Sequence, residues 1–232
     1  MDFQAGEILL FDKPLGWTSF DLVNRVRRLL CSYLGVKKLK VGHAGTLDPL
    51  ATGVMIVCTG KRTKDIEHFQ YQTKEYIAEV RLGATTPSYD LEHPIDAEYP
   101  TEHINLALIH EVLARFIGEI WQVPPTYSAV KVNGVRAYDY ARKGQDVEIK
   151  PKLLVIDELE LLSFENMILK LRIVCSKGTY IRALARDLGE AMQSGAHLVS
   201  LRRTRVGEFK DTDCMSLEEL EDMINRMKQN EI

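Results

Sequence analysis

The sequence predicts an α+β fold with a largely antiparallel sheet, and three observations predict it. Strand-length and helix-length segments follow one another irregularly, without the βαβα rhythm of a parallel sheet. "KEYIAEVRLG" (Lys74–Gly83) alternates strictly, with Tyr76, Ala78, Val80 and Leu82 on one side and Glu75, Glu79 and Arg81 on the other, the mark of a half-buried strand. "KLLVIDELELLSF" and "NMILKLRIVCSKG" follow each other as two strands separated only by a turn near Glu165-Asn166.

The remaining elements read in order. "EILLFDKP" (Glu7–Pro14) is a short buried strand ended by proline. "TSFDLVNRVRRLLCSYLG" (Thr18–Gly35) is a helix capped by Thr18 or Ser19, with Phe20, Val23, Val26 and Leu30 on one face and Gly35 to end it. "GVMIVCTG" (Gly53–Gly60) is an apolar run of strand length between glycines. The acidic stretch to Glu102, with Pro87, Pro94 and Pro100, reads as loop, and Ile104–Gly118 as helix. Val123–Gly144 carries a Pro-Pro turn, a hairpin at Asn133-Gly134 and a short basic helix bearing tyrosines. "TYIRALARDLGEAM" is helix and "HLVSLRRTRVGEF" strand; "SLEELEDMINRMK" is a closing helix with a Ser216–Glu219 capping box.

A chain of 232 residues fits one large domain or two small ones and buries enough surface to need no staples. At 45% hydrophobic and 27% charged residues its composition is globular. No apolar run approaches a membrane span, and the N-terminus lacks a signal-peptide pattern. Cys31, Cys58, Cys175 and Cys214 are scattered without C-x-x-C or zinc-ligand spacing, as for buried reduced thiols in a cytoplasmic protein. The net charge of −3 hides segregation: Arg25, Arg27, Arg28, Lys37, Lys38 and Lys40 sit in a stretch without acids, and Arg202, Arg203 and Arg205 form a second basic cluster. Two such clusters in a slightly acidic chain suit a polyanionic partner or two solvated faces; the acidity argues against coating nucleic acid non-specifically.

Three short stretches could carry chemistry. In "GHAGTLDPLATG" (Gly42–Gly53) glycines bracket Asp48, Pro49 stiffens the next residue, and Leu47 and Leu50 can exclude water. Such a carboxylate can be a nucleophile or base, or it can simply cap a turn. In "SKGTYIRALARDLG" (Ser176–Gly189) a strand gives way to a helix with Tyr180 and Arg182 at its mouth. The arginine could hold a carboxylate ionised, or lie on the surface beside a packed tyrosine. Tyr76 faces inward by pattern, as a core residue or as a platform for a base. The phosphate-binding glycine loops, the G-x-S-x-G elbow and the zinc-deaminase pattern are all absent from the sequence, which points away from metal-assisted chemistry.

Taken together, "DKPLGWTSFD", "VGHAGTLDPLATGVMIVCTGKRTK", "VPPTYSAVKVNGVRAYDYARKG", "CSKGTYIRALARDLG" and "GAHLVSLRRTRVGEF" resemble the bacterial tRNA pseudouridine synthase B family from about Glu7 to Phe209. The resemblance implies the pseudouridine synthase fold, a mixed, largely antiparallel central sheet flanked by helices and RNA-binding loops. It implies cofactor-free and metal-free conversion of uridine-55 in the tRNA T-loop to pseudouridine, after the base is flipped out. Asp48 would be the catalytic aspartate. Arg182 would pair with it, Tyr76 would stack on the target base, Tyr180 would pack beside it, and His43 would help occupy the vacated space. Lys13 and Leu201 would support the site, and Asp90 matches a family acid. Arg202, Arg203, Lys131 and Arg142 are candidates for the RNA backbone. The expected protein is a single catalytic domain over 1–232, with an acidic C-terminal helix over 211–232 and no C-terminal PUA domain. It is expected to act as a cytoplasmic monomer on the T stem-loop of tRNA, without membrane contact. A non-catalytic tRNA-folding module and a synthase acting on another RNA stem-loop are the alternatives.

Overall fold

The computed structural model describes residues 1–145 and 147–229. Along the chain come β1 (Ile8–Lys13), α1 (Ser19–Leu34), β2 (Val41–His43), β3 (Ala51–Thr59), α2 (Ile66–Tyr71) and β4 (Lys74–Leu82). Next are β5 (Ala84–Thr85), β6 (Ala97–Glu98), α3 (Leu106–Arg115), β7 (Gly118–Gln122), β8 (Lys131–Val132), β9 (Val135–Arg136) and α4 (Ala137–Arg142). The last are β10 (Lys152–Glu165), β11 (Ile168–Cys175), α5 (Ile181–Ala191), β12 (Ala196–Val206), β13 (Phe209–Lys210) and α6 (Leu217–Gln229). The chain forms two compact units: Met1–Glu75 with the chain from Arg202 onward, and Tyr76–Leu201. Strands β4 and β12 contribute residues to both.

In the first unit β1 and β2 both pair antiparallel with β3, from Ile8↔Cys58 to Lys13↔Gly53 and from Val41↔Thr59 to His43↔Val57. Strand β3 is apolar almost throughout because it is buried throughout: Val54, Met55, Ile56, Val57 and Cys58 are all 0% exposed. Each such aliphatic side chain contributes about 1.5–3 kcal/mol. Ala44, Val54, Ile56, Cys58, Phe69 and Val206 form one core cluster, with Phe209 set edge-on to Phe69. Helix α1 starts at a capping box, in which the Thr18 hydroxyl accepts from Asp21 N and Asp21 accepts from Thr18 N, and Gly35 ends it at φ 64°. Its buried face is Ser19, Leu22, Val23, Val26 and Leu30. Phe20, expected on that face, is exposed: at about 100° per residue it stands a quarter-turn from the stripe that Ser19 and Val23 define. The Ser216–Glu219 capping box opens α6 as expected.

In the second unit the strand order is β12-β4-β11-β10-β7, with β10 antiparallel to both β11 and β7. The inward row of β4 is the one the alternation predicts: Tyr76, Ala78, Val80 and Leu82 are buried. Asn133 and Gly134 both take positive φ, the backbone of a two-residue hairpin turn, between the pairs Val132↔Val135 and Lys131↔Arg136. Helix α5 buries Ile181, Arg182, Ala183, Leu184, Ala185, Leu188 and Gly189. Gly189 is required there, since a Cβ would sit 2.5 Å from Ala196 N. Two features depart from expectation. The helix read as continuing to Gly118 stops at Arg115, and Gly118–Gln122 forms edge strand β7. The acidic loop contains the small β5–β6 ladder.

Cys58 and Cys175 are buried, whereas Cys31 and Cys214 are only half-buried. Burial pushes the Cys58 and Cys214 thiols up to about 11 and about 12. No described helix is long and apolar enough to cross a membrane.

Candidate active site

The Asp48 stretch joins β2 to β3, and polar groups hold it on every side within the first unit. Ala44 N donates to Ile56 O, extending the ladder past His43. The Ser19 hydroxyl, buried at the start of α1, accepts from Leu47 N (2.9 Å) and donates to Leu47 O (3.0 Å). Pro49 O accepts from Gly16 N and from the Lys13 ammonium. Ala51 N donates to Asp48 O, closing a turn on the aspartate itself. Leu47 is buried while Asp48 is half-buried, on a loop whose backbone is hydrogen-bonded on both sides of it.

Lys13 is 0% exposed, and its Nζ donates to Pro14 O, Trp17 O and Pro49 O. Burial lowers its pKa to about 8, against the opposing charge of Asp48; the Arg203 guanidinium lowers it further. Lys13 is thus an ammonium beneath the loop, within electrostatic reach of Asp48. Burial likewise holds the half-buried His43 below its ordinary value, and Arg203 adds to that effect.

The three arginines of the second basic cluster divide: Arg203 is buried, whereas Arg202 and Arg205 stay partly exposed. Arg203 is 1% exposed and donates from Nε to Val54 O (2.8 Å) and from Nη2 to Gly45 O (3.2 Å). It offers a phosphate no surface, because it is buried; two of its donors meet backbone carbonyls more than a hundred residues away in sequence. Arg202 is paired with Asp12 (2.8 Å) and Asp211 (2.9 Å), and Arg205 with Glu75. Of the two arginines expected at the RNA backbone, Arg203 is buried within the protein, whereas Arg202 is partly exposed and paired with acids.

The second unit places Tyr76, Tyr180, Arg182, Asp90 and Leu201. Tyr76 and Leu201 are each 8% exposed. Tyr180 is the N-cap of α5 and is gripped by Gln122: its N–H donates to Gln122 Oε1 (2.9 Å) and its carbonyl accepts from Gln122 Nε2 (3.2 Å). Arg182 donates to Ser88 O (3.1 Å) and Tyr127 O (3.0 Å), and its Nε lies 3.6 Å from Asp90 Oδ2. Asp90 in turn accepts from the Ser88 hydroxyl (2.6 Å) and Glu92 N (3.0 Å), while the Thr86 hydroxyl donates to Asp90 O. Thr86, Ser88, Asp90 and Arg182 are all buried, so these groups form a buried polar network.

Gln122, Thr86 and Ser88 escaped the sequence reading. A glutamine beside a Pro-Pro turn and two hydroxyls in an acidic loop carry no periodic signal. Lys131 and Arg142 are exposed near the β8–β9 hairpin, where Arg136 and Arg142 lie 5.8 and 5.2 Å from the Tyr138 ring centre. Among the described residues no group of three or more His, Cys, Asp or Glu is placed to hold a metal ion.

Comparison with known proteins places this geometry in a family. Residues 32–181 match the N-terminal domain of TruB family pseudouridylate synthases, and residues 182–232 match the tRNA pseudouridylate synthase B C-terminal domain. The chain is 63% identical over 232 residues to the tRNA pseudouridine synthase B of Phocaeicola vulgatus, covering 100% of this chain and 99% of that protein. It is 68% identical over 215 residues to that of Bacteroides fragilis, covering 93% and 92%. Among solved structures, a Cbf5-Nop10-Gar1 complex contains a chain 30% identical, with TM-score 0.75, covering 99% of this chain and 57% of that one. An H/ACA RNP bound to a substrate RNA containing 2'-deoxyuridine gives 28% identity and TM-score 0.71, covering 99% and 56%. The chain thus spans little more than half the length of these solved chains. The pseudouridine synthase fold predicted from the sequence is present, and the chain belongs to the TruB family of pseudouridylate synthases.

Proposed function

We propose that this protein isomerises uridine-55 in the T-loop of tRNA to pseudouridine, with Asp48 as the catalytic carboxylate. The observation that carries the reading is the Asp48 loop. A half-buried carboxylate sits on a backbone fixed by Ser19 at the preceding residue and by Lys13 and Gly16 at the following one. Fixing a reacting group in this way removes the entropy of finding its geometry, which can lower a barrier by several kcal/mol (about 7–11 at best). The tRNA substrate is supported by the names of relatives that match nearly end to end.

The C1′–N1 bond of the target uridine breaks, the uracil turns, and C5 bonds to C1′; the proton displaced from C5 leaves and N1 gains one, so no oxidant or reductant is needed. Asp48 acts at the bond that is cut and remade. Tyr76 stacks on the base, and Tyr180, its backbone fixed by Gln122, packs beside it; each stacking contact is worth about 1–3 kcal/mol. That offsets the few kcal/mol (~2–4) needed to unstack the loop nucleotide.

The test is an unmodified tRNA transcript tritiated at uridine C5, incubated with wild type and with Asp48→Asn, followed by mapping of the product. Stoichiometric tritium release by the wild type alone, from the T-loop, supports the proposal. Tritium release by Asp48→Asn at the wild-type rate would sink the catalytic assignment, and product elsewhere would sink the target.

A further inference from the structure

Arg203 is a large side chain that is fully buried, and no carboxylate lies within ion-pair distance of it among the described residues. Burying a guanidinium without a counter-ion is costly, and an apolar side chain of similar size generally stabilises such a position better. Its donors go instead to Gly45 O and Val54 O, the two ends of the segment that carries Asp48. The backbone of Arg203 approaches the same segment: a Cβ at Gly53, whose φ is +101°, would lie 2.1 Å from Arg203 O. The side chain of Arg203 therefore holds both ends of the loop, at Gly45 and Val54, while its main chain packs closely against Gly53.

Resting on the assignment of Asp48 above, we propose that Arg203 is a positioning residue for catalysis, setting the Asp48 loop through the Gly45 and Val54 carbonyls without touching RNA. A planar fork is needed because two carbonyls approach it from different directions; a lysine ammonium, a single point of charge, cannot reproduce that span. The guanidinium also lies within electrostatic reach of Lys13 and His43, since it depresses both. Its charge thereby adds to the effect of burial on both groups.

The experiment compares wild type, Arg203→Lys, Asp48→Asn and Leu30→Ala on an unmodified tRNA transcript. Single-turnover rate and RNA Kd are measured separately, below every variant's melting temperature. Leu30 is a fully buried core residue of α1 with no polar link to the loop and serves as a control for stability loss. A displacement of the loop by about 1 Å predicts a rate some 100-fold lower for Arg203→Lys, with Kd within about threefold of wild type. Amide hydrogen exchange should quicken between residues 45 and 54. If Arg203→Lys does not fold, Arg203→Gln, which keeps an amide donor, takes its place with the same expectation. A wild-type rate in the folded variant overturns the proposal. So does a loss seen only in Kd, or a rate loss no larger than that of Leu30→Ala at equal folded fraction. An active Asp48→Asn instead defeats the catalytic assignment, so the two failures are separable.

Discussion

Replacing Arg182 by methionine tests whether the buried network of the second unit is held by charge. Arg182 and Asp90 have side chains only 5% and 4% exposed and lie 3.6 Å apart. Methionine fills much of the volume but leaves a buried carboxylate without its cation. Removing one partner of a buried ion pair costs about 3–5 kcal/mol. Asp90 keeps its bonds from the Ser88 hydroxyl and Glu92 N, which favours the lower end; Ser88 O and Tyr127 O lose donors, which favours the upper. At about 2–4 °C per kcal/mol for a chain of this size, Tm should fall by about 6–20 °C. The assay is thermal unfolding by circular dichroism, with Asp90→Asn and the double variant completing a cycle. Neutralising Asp90 in the methionine background should restore at least about 1 kcal/mol, because the unpaired charge is then gone. A single variant within about 1 kcal/mol of wild type, or a double variant no more stable than Arg182→Met, would refute the reasoning.

Other expectations follow from the first unit and the exposed hairpin. Gly53→Ala should destabilise by about 2–4 kcal/mol, since its Cβ meets a main-chain oxygen that cannot turn away; Gly134→Ala, also at positive φ but with open space around it, should cost only about 1 kcal/mol in chemical denaturation. Lys13 has a folded pKa of about 8 against an ordinary 10.5, so the folded state binds the proton less tightly than the unfolded chain. Its penalty is fully present below pH 8 and is relieved as pH rises towards 10.5. The stability of wild type relative to Lys13→Met should therefore climb across that window, by no more than about 1.4 kcal/mol per pH unit, and a flat difference in urea unfolding at pH 7.5 and 9.5 would show that the ammonium is not desolvated. On the proposed reading, replacing Lys131 and Arg142 together should lower the slope of log K against log salt for tRNA binding by about 0.7–0.9 for each phosphate no longer neutralised; an unchanged slope in filter binding removes the hairpin from the RNA interface.

The sequence by itself determined several features that rest on local chemistry, though not the side Phe20 faces or the end of α3. The alternation of β4 named its buried row, Thr18 or Ser19 and Gly35 marked the ends of α1, Asn133-Gly134 forced a turn, and Ser216 with Glu219 opened α6. These are decided within a few residues by sterics and by unpaired backbone groups at helix ends. The motif around Asp48 was legible, because glycine, proline and a lone acid are unusual together, but by itself it fitted a turn cap as well as a reacting carboxylate. Strand β7 was not: five residues with an exposed Trp121 have no periodic signature and become a strand only because β10 offers a free edge from Lys152 to Ile156. Nor was the fate of the arginines. Arg202 and Arg203 are adjacent charges that read as a phosphate-binding patch or a solvated face, yet one meets Asp12 and Asp211 while the other is buried against Gly45 and Val54. Those partners are brought to them by strand pairing, and only the tertiary structure decides whether a charge faces solvent or finds buried acceptors.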